Sequence, residues 1–205
     1  MGNKPFYLFL AALSLCLSLP CQASKISSGN FHGARVAPDG TLWAWGGNFY
    51  GQVGDGTNTP IASPVQIGEE TFWAQVSAGS IYTMAIKQEG SLWAWGDNSY
   101  GQLGGNFPTS RKQPGQVGLD SDWAQISPGD YHVLGIKKNG TLWTWGWNQH
   151  GQLGTGNTTD VHQPTAINAG YKAVAAAAGV HHSMIIKSTG TLWGFGDNSM
   201  GQLGN

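Results

Sequence analysis

Apolar and polar residues alternate along this chain in short runs, each closed by glycine or proline. Residues 73–78 set Val76 between Gln75 and Ser77, with Gly79 behind them. Residues 82–86 alternate large and small side chains. Residues 91–95 bring Trp93 and Trp95 to one face, because strand side chains alternate with period two. With the turn at residues 88–90 between them, the last two runs predict a hairpin. Residues 64–67 form a further strand candidate, whose leading proline suits a strand start. The alanine-rich residues 173–178 have helical propensity, but they stand in register with 73–78 and 123–128 and are read as a strand. No useful helical period occurs elsewhere beyond residue 24.

Each of these runs returns after 50 residues. A ten-residue phrase, Trp-Gly-x-Asn-x-x-Gly-Gln-x-Gly with Phe in place of Trp in the last copy, occupies residues 45–54, 95–104, 145–154 and 195–204. A fixed period of this size marks a repeat architecture, and four short glycine-punctuated strands per period describe propeller blades. The expected fold is all-β. A single repeat domain, residues 24–205, would hold a half repeat at 27–54 and full repeats at about 55–104, 105–154 and 155–204. Its fourteen strands would make roughly three and a half blades in an incomplete or open ring. Within the phrase, glycine supplies conformations that side chains penalise, and Asn48, Asn98, Asn148 and Asn198 suit turns. Gln52 and its copies would satisfy loop backbone. Residues alike in all copies are read as scaffold.

Composition narrows the function. Only 10% of residues are charged and the net charge is −1, against about 25% charged in average proteins. No basic field exists to hold nucleic acid or an anionic membrane. Residues 1–23 read as a signal peptide: Lys4, an apolar run over 6–19, then Cys21-Gln22-Ala23 before the cut. The protein would then be secreted or periplasmic, without a membrane attachment unless lipidated at Cys21. Both cysteines, Cys16 and Cys21, lie in that segment, so the mature chain would have neither disulfide nor thiol chemistry.

The run from Gly40 through Trp43, Trp45 and Gly46, followed by Asn48 and Gly51-Gln52-Val53-Gly54, resembles the repeat of the regulator of chromosome condensation family. Gly29-x-x-His32 and its counterparts ending in Tyr82, His132 and His182 match as well. The resemblance covers essentially the whole chain beyond residue 24 and implies a seven-bladed propeller. This chain has half the strands of such a ring, so it would be an open arc, self-associate, or be part of a longer propeller. The founding activity of the family, nucleotide exchange on a small GTPase, is the alternative function the resemblance implies.

No catalytic constellation, metal site or cofactor site emerges. His32, His132 and His182 share a repeat slot with Tyr82, which reads as a hydrogen-bonding core position. His181 and His182 would point to opposite strand faces. The stronger signal is variation between otherwise equal phrases. The third position reads Gly47, Asp97, Trp147 and Asp197, and the pair before the second glycine includes Phe49, Tyr50, Tyr100, His150 and Met200. Exposed aromatic and Met side chains at loop tips are what partner-binding surfaces collect. Phe49, Tyr50, Tyr100, Trp147, His150 and Met200 are therefore the candidate surface for a protein partner. The connections 55–60, 105–113 and 155–163 form a second candidate surface. The function expected is that of an exported, non-enzymatic binding propeller.

Overall fold

Four antiparallel sheets follow one another along the chain in a computed structural model, which describes residues 25–167 and 170–204. The first sheet contains β1 (Ile26–Ser28), β2 (His32–Val36), β3 (Leu42–Gly46) and β4 (Ile61–Gln66). The second contains β5 (Trp73–Ala78), β6 (Tyr82–Lys87), β7 (Leu92–Asp97) and β8 (Ser110–Gln116). The third contains β9 (Trp123–Pro128), β10 (His132–Lys137), β11 (Leu142–Gly146) and β12 (Val161–Ala166). The last has three strands: β13 (Ala173–Ala178), β14 (His182–Lys187) and β15 (Leu192–Gly196). Each sheet is a meander in sequence order, and successive sheets pack face to face as blades of an open ring. There is no helix among the described residues. The signal-peptide reading lies outside the described residues.

The blades are out of phase with the sequence units. The proline-led strand does not open its own unit; it closes the blade before it, β4 on β3 and β8 on β7. Each joins beside a register shift, as between Ala44 and Gly46, so the residue without an N–H donor costs the ladder little. The first blade, expected to hold two strands, is therefore complete, because three-residue β1 also pairs with β2. The incomplete blade is the last. Residues 110–113 and 161–163, read as connections, are strand.

Tryptophan fills the spaces between blades. Trp95 and Trp145 are fully buried, and each meets a second indole edge-on, Trp73 at 6.3 Å and Trp123 at 5.7 Å. A buried aromatic ring removes roughly 150–250 Å² from water, about 4–6 kcal/mol gross at 25 cal/mol per Å². Each indole also donates to the preceding blade. Trp95 Nε1 bonds the Gln52 carbonyl and Trp145 Nε1 the Gln102 carbonyl, both at 2.9 Å. The phrase glycine two residues on lies flat against the same ring. A methyl at Gly104 would stand 2.7 Å from Trp145 Nε1, on a backbone with φ of +75°.

The shared His/Tyr slot is a second seam. Thr83 Oγ1 donates to the Gln52 carbonyl and Ser183 Oγ to that of Gln152. Each hydroxyl therefore accepts from a histidine of the previous blade, His32 Nε2 at 2.8 Å and His132 Nε2 at 2.9 Å. Nδ1 of both rings is buried without a partner among the described residues. A second proton there would have no acceptor, and burial pushes His32 down from 6.5 to about 4 and His132 to about 3. Tyr82 fills the slot differently, its hydroxyl reaching the carbonyls of Gly129 and His132.

Two outcomes follow. Gly104→Ala should lower stability by about 1–3 kcal/mol more than Gly204→Ala, measured by urea denaturation. Gly204 has nearly the same φ, +78°, but nothing within 4 Å, so the difference isolates the close contact with Trp145 and, at 3.2 Å, Pro164 Cδ. Stability should also be full above pH 6.5 and fall as pH drops toward 4 and then 3, since the unfolded chain binds protons the buried imidazoles refuse. His32→Gln should flatten that slope by about 3 kcal/mol at its acid end, read from denaturation midpoints across pH.

Candidate functional site

The constant residues of the phrase hold the variable ones out. Asn48, Asn98 and Asn148 each accept, through Oδ1, the amide of the aliphatic residue five positions on, and Asn198 does the same for Leu203. The Nδ2 atoms of Asn48, Asn98 and Asn148 tie down the following connection, as Asn48 does to the carbonyls of Thr57 and Thr59. Gln52, Gln102, Gln152 and Gln202 accept, through Oε1, the amides of Tyr50, Tyr100, His150 and Met200. The backbone of each variable residue is thus braced by an invariant side chain of its own loop. Its side chain is left outside.

At the third phrase position the amide bonds back to the residue before the His/Tyr slot: Gly47 to Phe31, Asp97 to Ile81, Trp147 to Tyr131 and Asp197 to His181. Two variable positions therefore stand side by side on one rim of the arc. Around Trp147 this gathers a cluster of rings. Its centroid lies 5.7 Å from Tyr100, 6.3 Å from Tyr131, 5.2 Å from His150 and 5.0 Å from His181. Tyr100 and Tyr131 are 5.1 Å apart, and His150 stacks on His181 at 4.6 Å with planes 11° apart.

Of the six residues expected on this surface, Tyr100, Trp147 and His150 share the cluster. Tyr50 is exposed on the first loop. Burial first, then the charges of Asp130 and Asp97, raise the Tyr131 hydroxyl above its ordinary value. Phe49 and Met200 project from the first and last loops at 73% and 90% exposure. Sequence reading did not place Tyr131 or His181 on this surface, and weighed His181 only as a neighbour of His182, although Phe31, Ile81, Tyr131 and His181 vary at one repeat position just as the phrase does. Beside the cluster, Asp130 lines a cleft of about 240 Å³ that receives residues from all four blades. Burial raises its carboxyl pKa, against a smaller opposing effect of His181.

Trp147 is a misfit in its own loop. Where the third position is aspartate, the glutamine amide pairs with it: Gln102 Nε2 with Asp97 and Gln202 Nε2 with Asp197, both at 2.6 Å. With Trp147 there, Gln152 Nε2 is buried and unpaired among the described residues. An unsatisfied buried donor costs about 1–3 kcal/mol. The loop forgoes a bond that two of its siblings make, and gains an aromatic hub on the rim.

The pattern described as the regulator of chromosome condensation (RCC1) repeat matches residues 39–86, 89–136 and 139–186, and a second form of it matches 23–52, 73–102, 123–152 and 173–202. The Arabidopsis thaliana ultraviolet-B receptor UVR8 is 48% identical over 44 residues, 22% of this chain and 10% of that protein. Human WBSCR16 superposes with a TM-score of 0.79 at 22% identity, over 87% of this chain and 48% of that one. Yeast RCC1 (Prp20), solved bound to Kap60, gives 0.76 at 22% identity over 84% and 43%. The chain spans less than half the length of either structure.

Trp147→Asp should destabilise the chain less than Trp147→Ala, by about 1.5–3 kcal/mol, since both lose the ring contacts and buried area but only aspartate restores a charged bond to the Gln152 amide. Thermal midpoints of the two variants, side by side, check the order.

Proposed function

The chain belongs to the regulator of chromosome condensation (RCC1) repeat family, and from that premise we propose that it is a non-enzymatic binding propeller. It captures a protein partner through the rim centred on Trp147. The observation that carries this reading is the unpaired Gln152 amide beneath Trp147. A residue that leaves its own scaffold a bond short, and that draws four neighbouring rings around it, is accounted for by what it meets outside the chain. The braced loop backbones supply a pre-ordered surface, so little conformational entropy is lost on binding. Aromatic anchors of this kind dominate interface energies.

The partner is read as a protein. The net charge of −1 and the 10% charged content give nucleic acid nothing to hold. Residues 1–23 support export, and the site of action is accordingly secreted or periplasmic. Among the relatives, yeast RCC1 (Prp20) was solved bound to Kap60, and the same protein is described by its binding to Gsp1p and histones. Those partners belong to that protein. Here the variable rim residues set the choice.

The test is capture from the source organism's exported fraction on the immobilised chain, against the double variant Tyr100→Ala/Trp147→Ala. The wild type should retain a discrete protein that the folded double variant binds at least about tenfold more weakly, as loss of a hot-spot pair implies. An identical set of retained proteins, with circular dichroism unchanged, contradicts the reading.

A further inference from the structure

Side chains at one repeat position, Asn30, Ser80, Asp130 and Val180, meet in the cleft that Asp130 lines. Between the first two blades this position is bonded across the seam. Asn30 Nδ2 donates to Ser80 Oγ at 2.7 Å, and the Asn30 amide to the Ser80 carbonyl at 3.1 Å. Between the third and fourth blades the corresponding pair is Asp130 and Val180, and a valine side chain has no donor to offer a carboxylate. Among the described residues, the Asp130 carboxylate accepts no hydrogen bond and joins no salt bridge. Its raised pKa has the same origin, a charge held away from water with little to neutralise it. Asp130 belongs to the third blade, and the blades packed on both sides of it are parts of this chain.

Aromatic rings stand next to this carboxylate. Tyr131 follows Asp130 in the chain and packs on Tyr100 and Trp147, while His181 follows Val180 and packs on Trp147. A half-buried carboxylate beside rings is matched by a cation that can also lie flat on a ring. Guanidinium meets both needs, since its fork of N–H donors fits a carboxylate and its plane stacks on aromatics. An ammonium group would answer the charge alone. A metal ion fits less well, because among the described residues no three carboxylate, imidazole or thiolate groups come together. The chain's own cations are engaged elsewhere. Lys87 and Lys137 end β6 and β10 at the far side of the blades, held by Glu70 and by Asp120 and Asp122. Arg111 lies on β8, over the Phe107 ring.

We propose that Asp130, with the flanking rings of Tyr131 and His181, is the pocket for an arginine side chain of the partner protein. The pocket rests on the protein-binding reading of the rim and adds the chemistry of the guest. The guanidinium donates two N–H groups to the Asp130 carboxylate, and its plane lies against the Tyr131 ring. Val180, which denies Asp130 a donor within the chain, keeps the carboxylate for that guest. Tyr100 and Trp147 then receive the apolar parts of the segment around the arginine.

The probe is doubly blocked arginine, the Nα-acetyl methylamide, titrated into the ¹⁵N-labelled full chain and followed by NMR, with blocked citrulline as its neutral isostere. Saturable shifts of the Asp130, Tyr131 and His181 amides are expected with arginine. Citrulline should bind about tenfold more weakly or worse. Asp130→Asn breaks no bond within the described chain, so it should keep or raise the thermal midpoint while abolishing the arginine-specific shifts. No saturable shifts, equal shifts with both probes, or shifts that persist in the folded Asp130→Asn chain overturn the proposal. The rim reading answers to a separate measurement. If a captured protein is lost by Tyr100→Ala/Trp147→Ala but bound unchanged by Asp130→Asn, the rim stands and the arginine pocket falls. If the double variant captures as the wild type does while arginine still binds through Asp130, the pocket stands and the rim reading falls.

Discussion

The indole N–H of a buried tryptophan, donated to a backbone carbonyl of the previous blade, is the contact on which the rest of this structure depends. Trp95 and Trp145 make it, and it needs three things together. The ring must be buried, the glutamine carbonyl must be turned toward it, and the phrase must carry a glycine where the ring lies against the chain. That joint requirement accounts for much of the ten-residue phrase. It also explains how a chain with few charges coheres: blade-to-blade bonds run from the Trp95 and Trp145 indoles and the Thr83 and Ser183 hydroxyls to backbone carbonyls, and from neutral imidazoles to those hydroxyls.

A seam made of invariant groups frees the remaining positions to differ. The glutamine that lends its carbonyl to the next blade also braces, through its side chain, the amide of the exposed residue two positions earlier. One residue therefore links the core to the rim. Rigidity needed for stacking is passed to the loop tips, where Tyr50, Tyr100, His150 and Met200 are displayed on equivalent backbones. Function in such a molecule lies in substitutions at fixed geometry, and Trp147 is the substitution that its own loop accommodates least well.

Strands, period and open ring were legible in the sequence because alternation and glycine spacing are local. Which sheet a strand joins was not. Residues 64–67 have the same hydropathy whether they open one blade or close another; the choice is made by Ile67 bonding the Leu42 carbonyl and burying its side chain between blades. β1 was missed because three residues without a tryptophan carry little pattern. The rim was partly legible. Variation inside the phrase pointed to Tyr100, Trp147 and His150, while Tyr131 and His181 sit some sixteen residues or more from the phrase positions they touch. The place of Tyr131 follows from the bond between the Trp147 amide and the Tyr131 carbonyl and from the pairing of β10 with β11; that of His181, just before β14, follows from the last blade packing through β13 on β10.

The account is tested most directly by amide and indole hydrogen exchange, followed by NMR on the chain with ¹⁵N-labelled tryptophan. If the seams carry the fold, the indole protons of Trp95 and Trp145 exchange only on global unfolding, at the rate of the slowest core amides. The exposed Trp193 indole should exchange far faster. Exchange of the Trp95 and Trp145 protons at the rate of Trp193, in a chain whose core amides remain protected, would contradict the claim that these bonds hold the blades together.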